Sequence, residues 1–198
     1  MQQPQPARHL VLASTSPFRR ELLGRLGIPF DTVAPDADET PRPGETAQQL
    51  VQRLAEAKAR GASMRFPDSV IIGSDQVACI DGDILGKPGS PERAVEQLQR
   101  ASGRTVQFFT GLCVLDATTG EAATTCEPFL VHFRELDDAQ ISDYVERETP
   151  FNCAGSFKSE GLGIALFRRL EGDDPNTLIG LPLIRLVELL DNAGIRVL

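Results

Sequence analysis

The chain has 198 residues, 41% hydrophobic and 24% charged, an ordinary balance for a globular protein and enough length for a core without disulfide staples. A net charge of -8 leaves no basic face for an extended nucleic-acid footprint, so no nucleic-acid partner is expected, while a small basic pocket for a phosphorylated metabolite stays open. The four cysteines (Cys79, Cys113, Cys126, Cys153) form no CxxC pair and have only His9 and His132 as soft companions, which argues against a structural zinc and for thiols in a reducing, cytoplasmic setting.

Met1 to His9 is polar, with two prolines and no apolar leader core, and no later run approaches the length of a membrane span. His9 to Ser14 reads as a short buried strand. Ser16-Pro17 then opens a helix, because serine caps the free N–H groups and proline suits the first turn; Leu22, Leu23 and Leu26 are its apolar stripe and Gly27 its stop. Phe30 to Val33 is a second strand and Pro35 to Gly44 an acidic loop. A helix follows from about Thr46 to Ala62, with Leu50, Val51, Leu54 and Ala55 on one face.

Val70 to Ile80 reads as a strand interrupted at Gly73-Ser74-Asp75-Gln76, and Asp81-Gly82 as a hairpin turn. Ser90-Pro91 opens a third helix that ends at Gly103. Thr105 to Leu115 and Ala122 to Phe133 are long strand-like runs around a turn. A helix over about Asp138 to Glu148, a strand over Gly163 to Leu170 and a final helix from Pro182 to near Gly194 complete the chain. Alternating strands and helices with a central hairpin predict an α/β protein built on a mixed sheet. Residues 104–149 are a candidate lobe beside 9–103 and 150–198.

Familiar nucleotide and hydrolase signatures fail. Gly82 and Gly86 are one residue too close for a P-loop, and Pro88 stands where its magnesium-binding hydroxyl belongs. Gly161-Leu162-Gly163 lacks a third glycine, and no Ser/His/Asp arrangement suggests itself. With two histidines, acid–base work falls to carboxylates.

Among 20 basic residues only Lys58, Lys87 and Lys158 are lysine, which suggests places where a compact ammonium is wanted, such as a phosphate contact. Solvated or snorkelling lysines are the plainer reading of each one alone. Arg19-Arg20 sit in the first turn of a helix behind Ser14-Thr15-Ser16, where free N–H groups, hydroxyls and guanidiniums suit a polyphosphate. Asp75 lies inside an apolar strand, a costly place unless it pairs, binds metal or does chemistry. Glu39, with Asp36 and Asp38 nearby, is a second carboxylate. One or two carboxylates plus substrate phosphates describe a magnesium or manganese site.

These motifs resemble the Maf-like nucleotide pyrophosphatases from Leu10 to about Leu190: Leu-Ala-Ser-Thr-Ser-Pro-Phe-Arg-Arg from Leu12, Asp-Glu-Thr from Asp38, Ala-Glu-Ala-Lys-Ala from Ala55, Ile-Ile-Gly-Ser-Asp-Gln-Val from Ile71, Leu-Gly-Lys-Pro from Leu85, Ser-Gly-Arg-Thr from Ser102 and Asn-Thr-Leu-Ile-Gly-Leu-Pro from Asn176. The resemblance implies an inosine-triphosphatase-like fold, an elongated mixed sheet with a cleft between two lobes. It implies a divalent cation (Mg or Mn) and hydrolysis between the α- and β-phosphates of a nucleoside triphosphate. Asp75 is then the proton acceptor and, with Glu39, a metal ligand. Ser14, Arg19, Arg20, Lys58 and Lys87 belong to the triphosphate site.

Gln76 after Asp75, and Glu160 in Gly-Ser-Phe-Lys-Ser-Glu-Gly, are similar to the subgroup acting on 7-methyl-GTP rather than on dTTP and UTP. Phe18 stands where that subgroup often has tryptophan. A cationic 7-methylguanine suits an aromatic face at Phe18 and a carboxylate at Glu160. The alternatives are the same reaction on dTTP, UTP or other modified nucleotides, and a nucleotide-binding regulator of septum formation. A homodimer is left open.

Overall fold

The structure is a computed structural model that describes residues 8–198; residues 1–7, where no apolar leader is expected, lie outside the described residues. Its elements, in chain order, are β1 (Leu10–Ala13), α1 (Pro17–Gly24), β2 (Asp31–Val33), α2 (Ala47–Ser63), β3 (Val70–Ile80), β4 (Asp83–Leu85), α3 (Pro91–Ala101), β5 (Thr105–Asp116), β6 (Ala122–Phe133), α4 (Asp138–Glu148), β7 (Phe167–Glu171), α5 (Asn176–Ile179) and α6 (Leu183–Asn192). The expected caps form. Ser16 and Ser90 accept backbone N–H groups ahead of Pro17 and Pro91. Thr46 with Gln49, and Asp137 with Gln140, close reciprocal capping boxes.

One mixed sheet of seven strands runs β2-β1-β3-β5-β6-β7, with β4 beside β3. β1 is parallel to β2 and β3; the remaining pairs are antiparallel. The α/β reading with a mixed sheet therefore holds. β3 does not break at Gly73–Gln76 as the polar residues suggested. It pairs with β5 without interruption, Asp75 lying opposite Gly111, because backbone pairing is indifferent to side-chain polarity when a neighbouring strand is present. The interruption lies on its other edge, where β1 covers Val70 to Ile72 and β4 covers Ala78 to Ile80. Between them the edge of β3 around Asp75 pairs with neither strand.

Two further expectations shift. The stretch read as a strand from Gly163 begins as a 3-10 turn, Leu162–Leu166, and only Phe167–Glu171 is strand. A four-residue helix, α5, precedes the final one; it carries too few residues for periodicity to show.

The sheet separates three apolar groups by the alternation of its strands. Val11, Ala13, Ile71 and Cys113 face Ala55, Ala59 and Ala62 of α2. Leu10, Leu12, Val70 and Leu112 face Leu22 and Leu23 of α1 and Leu186 and Leu190 of α6. At the other end, Phe108, Phe129 and Phe133 pack with Leu98 of α3, Tyr144 of α4 and Phe157. Two glycines bring α2 close to the sheet. A Cβ on Gly73 would stand 2.0 Å from the Ala55 carbonyl oxygen, and one on Gly111 2.1 Å from that of Val51.

Candidate active site

The gap beside β3 opens into a cavity of about 880 Å³. Its walls come from the β1–α1 bend, the acidic loop, α2, the centre of β3, the segment after β4 and the stretch Thr149 to Glu160.

Close packing of α2 delivers Lys58 to the face of β3 that carries Asp75. Both residues are buried. Lys58 Nζ donates to Asp75 Oδ1 at 2.6 Å and lies 3.2 Å from Glu39 Oε1. Glu39 is exposed on the acidic loop, yet that loop is tied to α2. Arg53 Nε and Nη2 reach the Glu45 carboxylate at 2.6 and 2.8 Å, and Nη2 also donates to the Thr40 carbonyl at 3.1 Å. The Asp38 carboxylate accepts from the Thr40 N–H.

The opposite face of β3 is held by the segment around α5. Ser74 Oγ and Arg19 Nε both donate to the Gly180 carbonyl, at 2.9 and 2.8 Å. Arg19 is thereby aimed along the cavity wall. Burial lowers its pKa, while the charges of Asp75 and Glu39 act to raise it. Gln76 Nε2 donates among Thr110 Oγ1 and the carbonyls of Thr177 and Leu178, at 2.8 to 3.1 Å. Thr110 spends its own hydroxyl proton on Thr177. The amide nitrogen of Gln76 is thus committed to acceptors, and its Oε1 is the end left to accept from a ligand.

Ser14, Phe18, Arg19, Glu39, Lys58, Asp75, Gln76, Lys87 and Glu160 all line this one cavity. Ser14 is buried, with its Oγ accepting the Ser16 N–H. Phe18 is half-buried, and Lys87 and Glu160 stand exposed at the rim. Arg20 is exposed and outside the lining; one position round α1 from Arg19, it points away.

Lys158 also lines the cavity, but its ammonium is engaged. Nζ donates to the Glu148 carbonyl at 2.6 Å and lies 3.6 Å from the Glu148 carboxylate. The same carboxylate accepts the Leu162 N–H, and Tyr144 Oη accepts the Lys158 N–H. The last turn of α4 therefore holds the segment that carries Glu160. Glu148, Tyr144, Thr110, Thr177 and Gly180 are not singled out as site residues by the sequence. Apart from the Asn176–Pro182 motif, no short-range spacing marks them.

A Ser/His/Asp chain does exist, contrary to expectation. His9 Nδ1 lies 2.8 Å from Ser69 Oγ, and His9 Nε2 lies 2.8 Å from Asp31. Ser69 is buried and does not line the cavity, so these three side chains lace β1, β2 and the start of β3 together. The thiols divide evenly: Cys79 and Cys113 are buried, Cys126 and Cys153 half-buried. Among the described residues, no three His, Cys, Asp or Glu side chains cluster as metal ligands, and no helix is long and apolar enough to cross a membrane.

Three similar proteins are named 7-methyl-GTP pyrophosphatase. That of Nitrosococcus oceani is 59% identical, covering 100% of both chains. That of Pseudomonas aeruginosa is 54% identical over 95% of this chain and 98% of its own. That of Vibrio cholerae is 57% identical over 96% and 97%. The family described as Maf-like protein matches residues 9–193. A match over nearly the whole length, through every element that builds the cavity, shows that the chain belongs to the Maf family.

Proposed function

We propose that this chain is a divalent-metal-dependent nucleoside-triphosphate pyrophosphatase that converts 7-methyl-GTP to 7-methyl-GMP and pyrophosphate. One observation carries the reading: a buried ammonium bridges two carboxylates, Asp75 and Glu39, at the wall of a cavity that also receives Arg19 and Lys87. Relatives 54 to 59% identical over nearly their whole length are named for 7-methyl-GTP pyrophosphatase activity. Four free cysteines among the described residues favour a reducing compartment, the cytoplasm, as the workplace.

The donor chemistry fits magnesium or manganese. Glu39 and Asp75, which converge on the Lys58 ammonium, would supply hard oxygen ligands, and such ions complete their shells with water and substrate phosphates rather than a protein cage. When bound, the cation neutralises charge on the phosphates.

The chain's own residues do the rest. Arg19, Lys58 and Lys87 gather the triphosphate oxygens, with Ser14 and the amides at the start of α1 beside them. Asp75 takes a proton from the water that attacks the α-phosphorus, and pyrophosphate departs from the opposite side. Phe18 stacks on the base, Gln76 Oε1 accepts from a guanine N–H, and Glu160 faces the cationic ring from the rim.

A nucleotide panel assayed with magnesium and with manganese, reading monophosphate, pyrophosphate and orthophosphate separately, tests this. The expected result is pyrophosphate as direct product and 7-methyl-GTP as the best substrate. Orthophosphate as the direct product excludes α–β cleavage, and equal efficiency on dTTP excludes the base assignment.

A further inference from the structure

Lys58 stands where a metal would have to stand. Its Nζ lies 2.6 Å from Asp75 and 3.2 Å from Glu39, whereas magnesium approaches a carboxylate oxygen to about 2.0–2.1 Å. One small notch between two carboxylates does not hold both cations. Nor can the lysine yield by a shift of its helix, since α2 is seated on Gly73 and Gly111 with no slack. Only its side chain can swing.

The charges agree with this. Asp75 and Glu39 are balanced by Lys58 and by Arg19, whose guanidinium lies within their field. A bare dication entering a balanced site, in which Lys58 and Asp75 are buried, leaves it with two uncompensated positive charges, after shedding water it gives up reluctantly. A metal bound to a triphosphate brings negative charge with it. Its phosphate oxygens offer the displaced ammonium a new partner, and the Glu39 side chain, more than half exposed, can follow by rotating while its loop stays fastened to α2.

We propose that Lys58 is a placeholder cation: it occupies the metal position while nucleotide is absent, so the divalent metal enters only as its nucleotide complex, and Asp75 is released to act as base only when substrate is present. The proposal rests on the pyrophosphatase reading above.

Manganese binding followed by electron paramagnetic resonance tests it, with the α,β-methylene analogue of 7-methyl-GTP as the non-hydrolysable nucleotide. Free aqueous manganese keeps its six-line spectrum, whereas manganese on the protein or on the analogue loses it, so protein binding is read as the loss beyond that of an analogue-only titration. Wild-type protein alone is expected to bind manganese at least about tenfold more weakly than in the presence of the analogue, within the usual range of coupling between two ligands. Lys58→Met alone is expected to bind it at least about tenfold more tightly than wild type alone.

Equal manganese affinity of wild type with and without the analogue overturns the proposal. So does a folded Lys58→Met or Lys58→Gln protein, checked by circular dichroism, that gains no affinity. If neither variant folds, the wild-type comparison decides. Pyrophosphate release from 7-methyl-GTP by the wild type is read separately. Its absence rejects the pyrophosphatase reading, whereas tight nucleotide-free manganese binding in an active enzyme rejects the placeholder alone.

Discussion

Asp75 shows how much a single position depends on its surroundings. Its side chain is held by a buried ammonium, its strand is paired on one edge, and the other edge is open at that point. A carboxylate in this place has a partner for its charge and access to a ligand. Replacement by asparagine keeps the shape and removes the proton acceptor. Asp75→Asn is therefore expected to lower the rate of pyrophosphate release roughly 10²- to 10⁴-fold, the usual contribution of a general base. Circular dichroism should show an unchanged fold. Turnover near that of wild type assigns the proton to another group. Arg20 makes the complementary point: a charged residue adjacent in sequence to Arg19 sits on another side of the helix and outside the cavity.

At the scale of elements, the loop that presents Glu39 is ordered by its attachment to α2. Arg53 grips Glu45 through two nitrogens and the Thr40 carbonyl through one of them. That hydrogen bond is the main reason the Glu45 carboxyl is pulled from 4.5 down to about 2. A depressed carboxylate stabilises the folded chain fully above its unfolded pKa, and the contribution fades as pH falls from 4.5 toward 2. Arg53→Met should therefore lower the urea midpoint at pH 7, with a deficit that narrows on acidification toward pH 3. A deficit independent of pH removes the ion pair as its cause and points to packing of the arginine stem. The last turn of α4 plays a similar part on the far wall, where Glu148 and Tyr144 fasten the segment around Lys158.

At the scale of the molecule, the distance between α2 and the sheet decides whether the site exists. Gly73 and Gly111 let the helix backbone rest on two strands, and any side chain there collides with a carbonyl that cannot rotate away. Gly73→Ala is expected to cost about 1–3 kcal/mol or more, the range for overpacked interiors, measured as a fall in unfolding free energy in urea. It should also reduce pyrophosphate release, because the same shift carries Lys58 away from Asp75. Gly24→Ala is the control: a Cβ there meets nothing within 4 Å, and its effect should be small. Equal stability of the two variants contradicts the seating of α2 on the sheet.

Local rules foresaw most elements, since caps, proline at the first turn and glycine stops act within a few residues of chain. They misread Gly73–Gln76 and Gly163–Leu166, where a polar or apolar run was interpreted without its neighbours. A partner strand keeps the first extended, and the contacts of Lys158 and Glu148 wind the segment leading into the second. The ordered motifs likewise singled out Asp75, Lys58, Glu39 and Arg19, which the structure brings to one cavity.

The fold class, most helix ends and the residue types available to the cavity are legible in the chain alone, because they follow from composition and short-range spacing. That Arg20 stays outside the cavity, that Lys158 is a fastening rather than a free cation, and that Lys58 sits between Asp75 and Glu39 emerges only once the chain is folded. These facts depend on contacts between residues far apart in the chain, and on α2 lying close enough to the sheet for one lysine to reach two carboxylates.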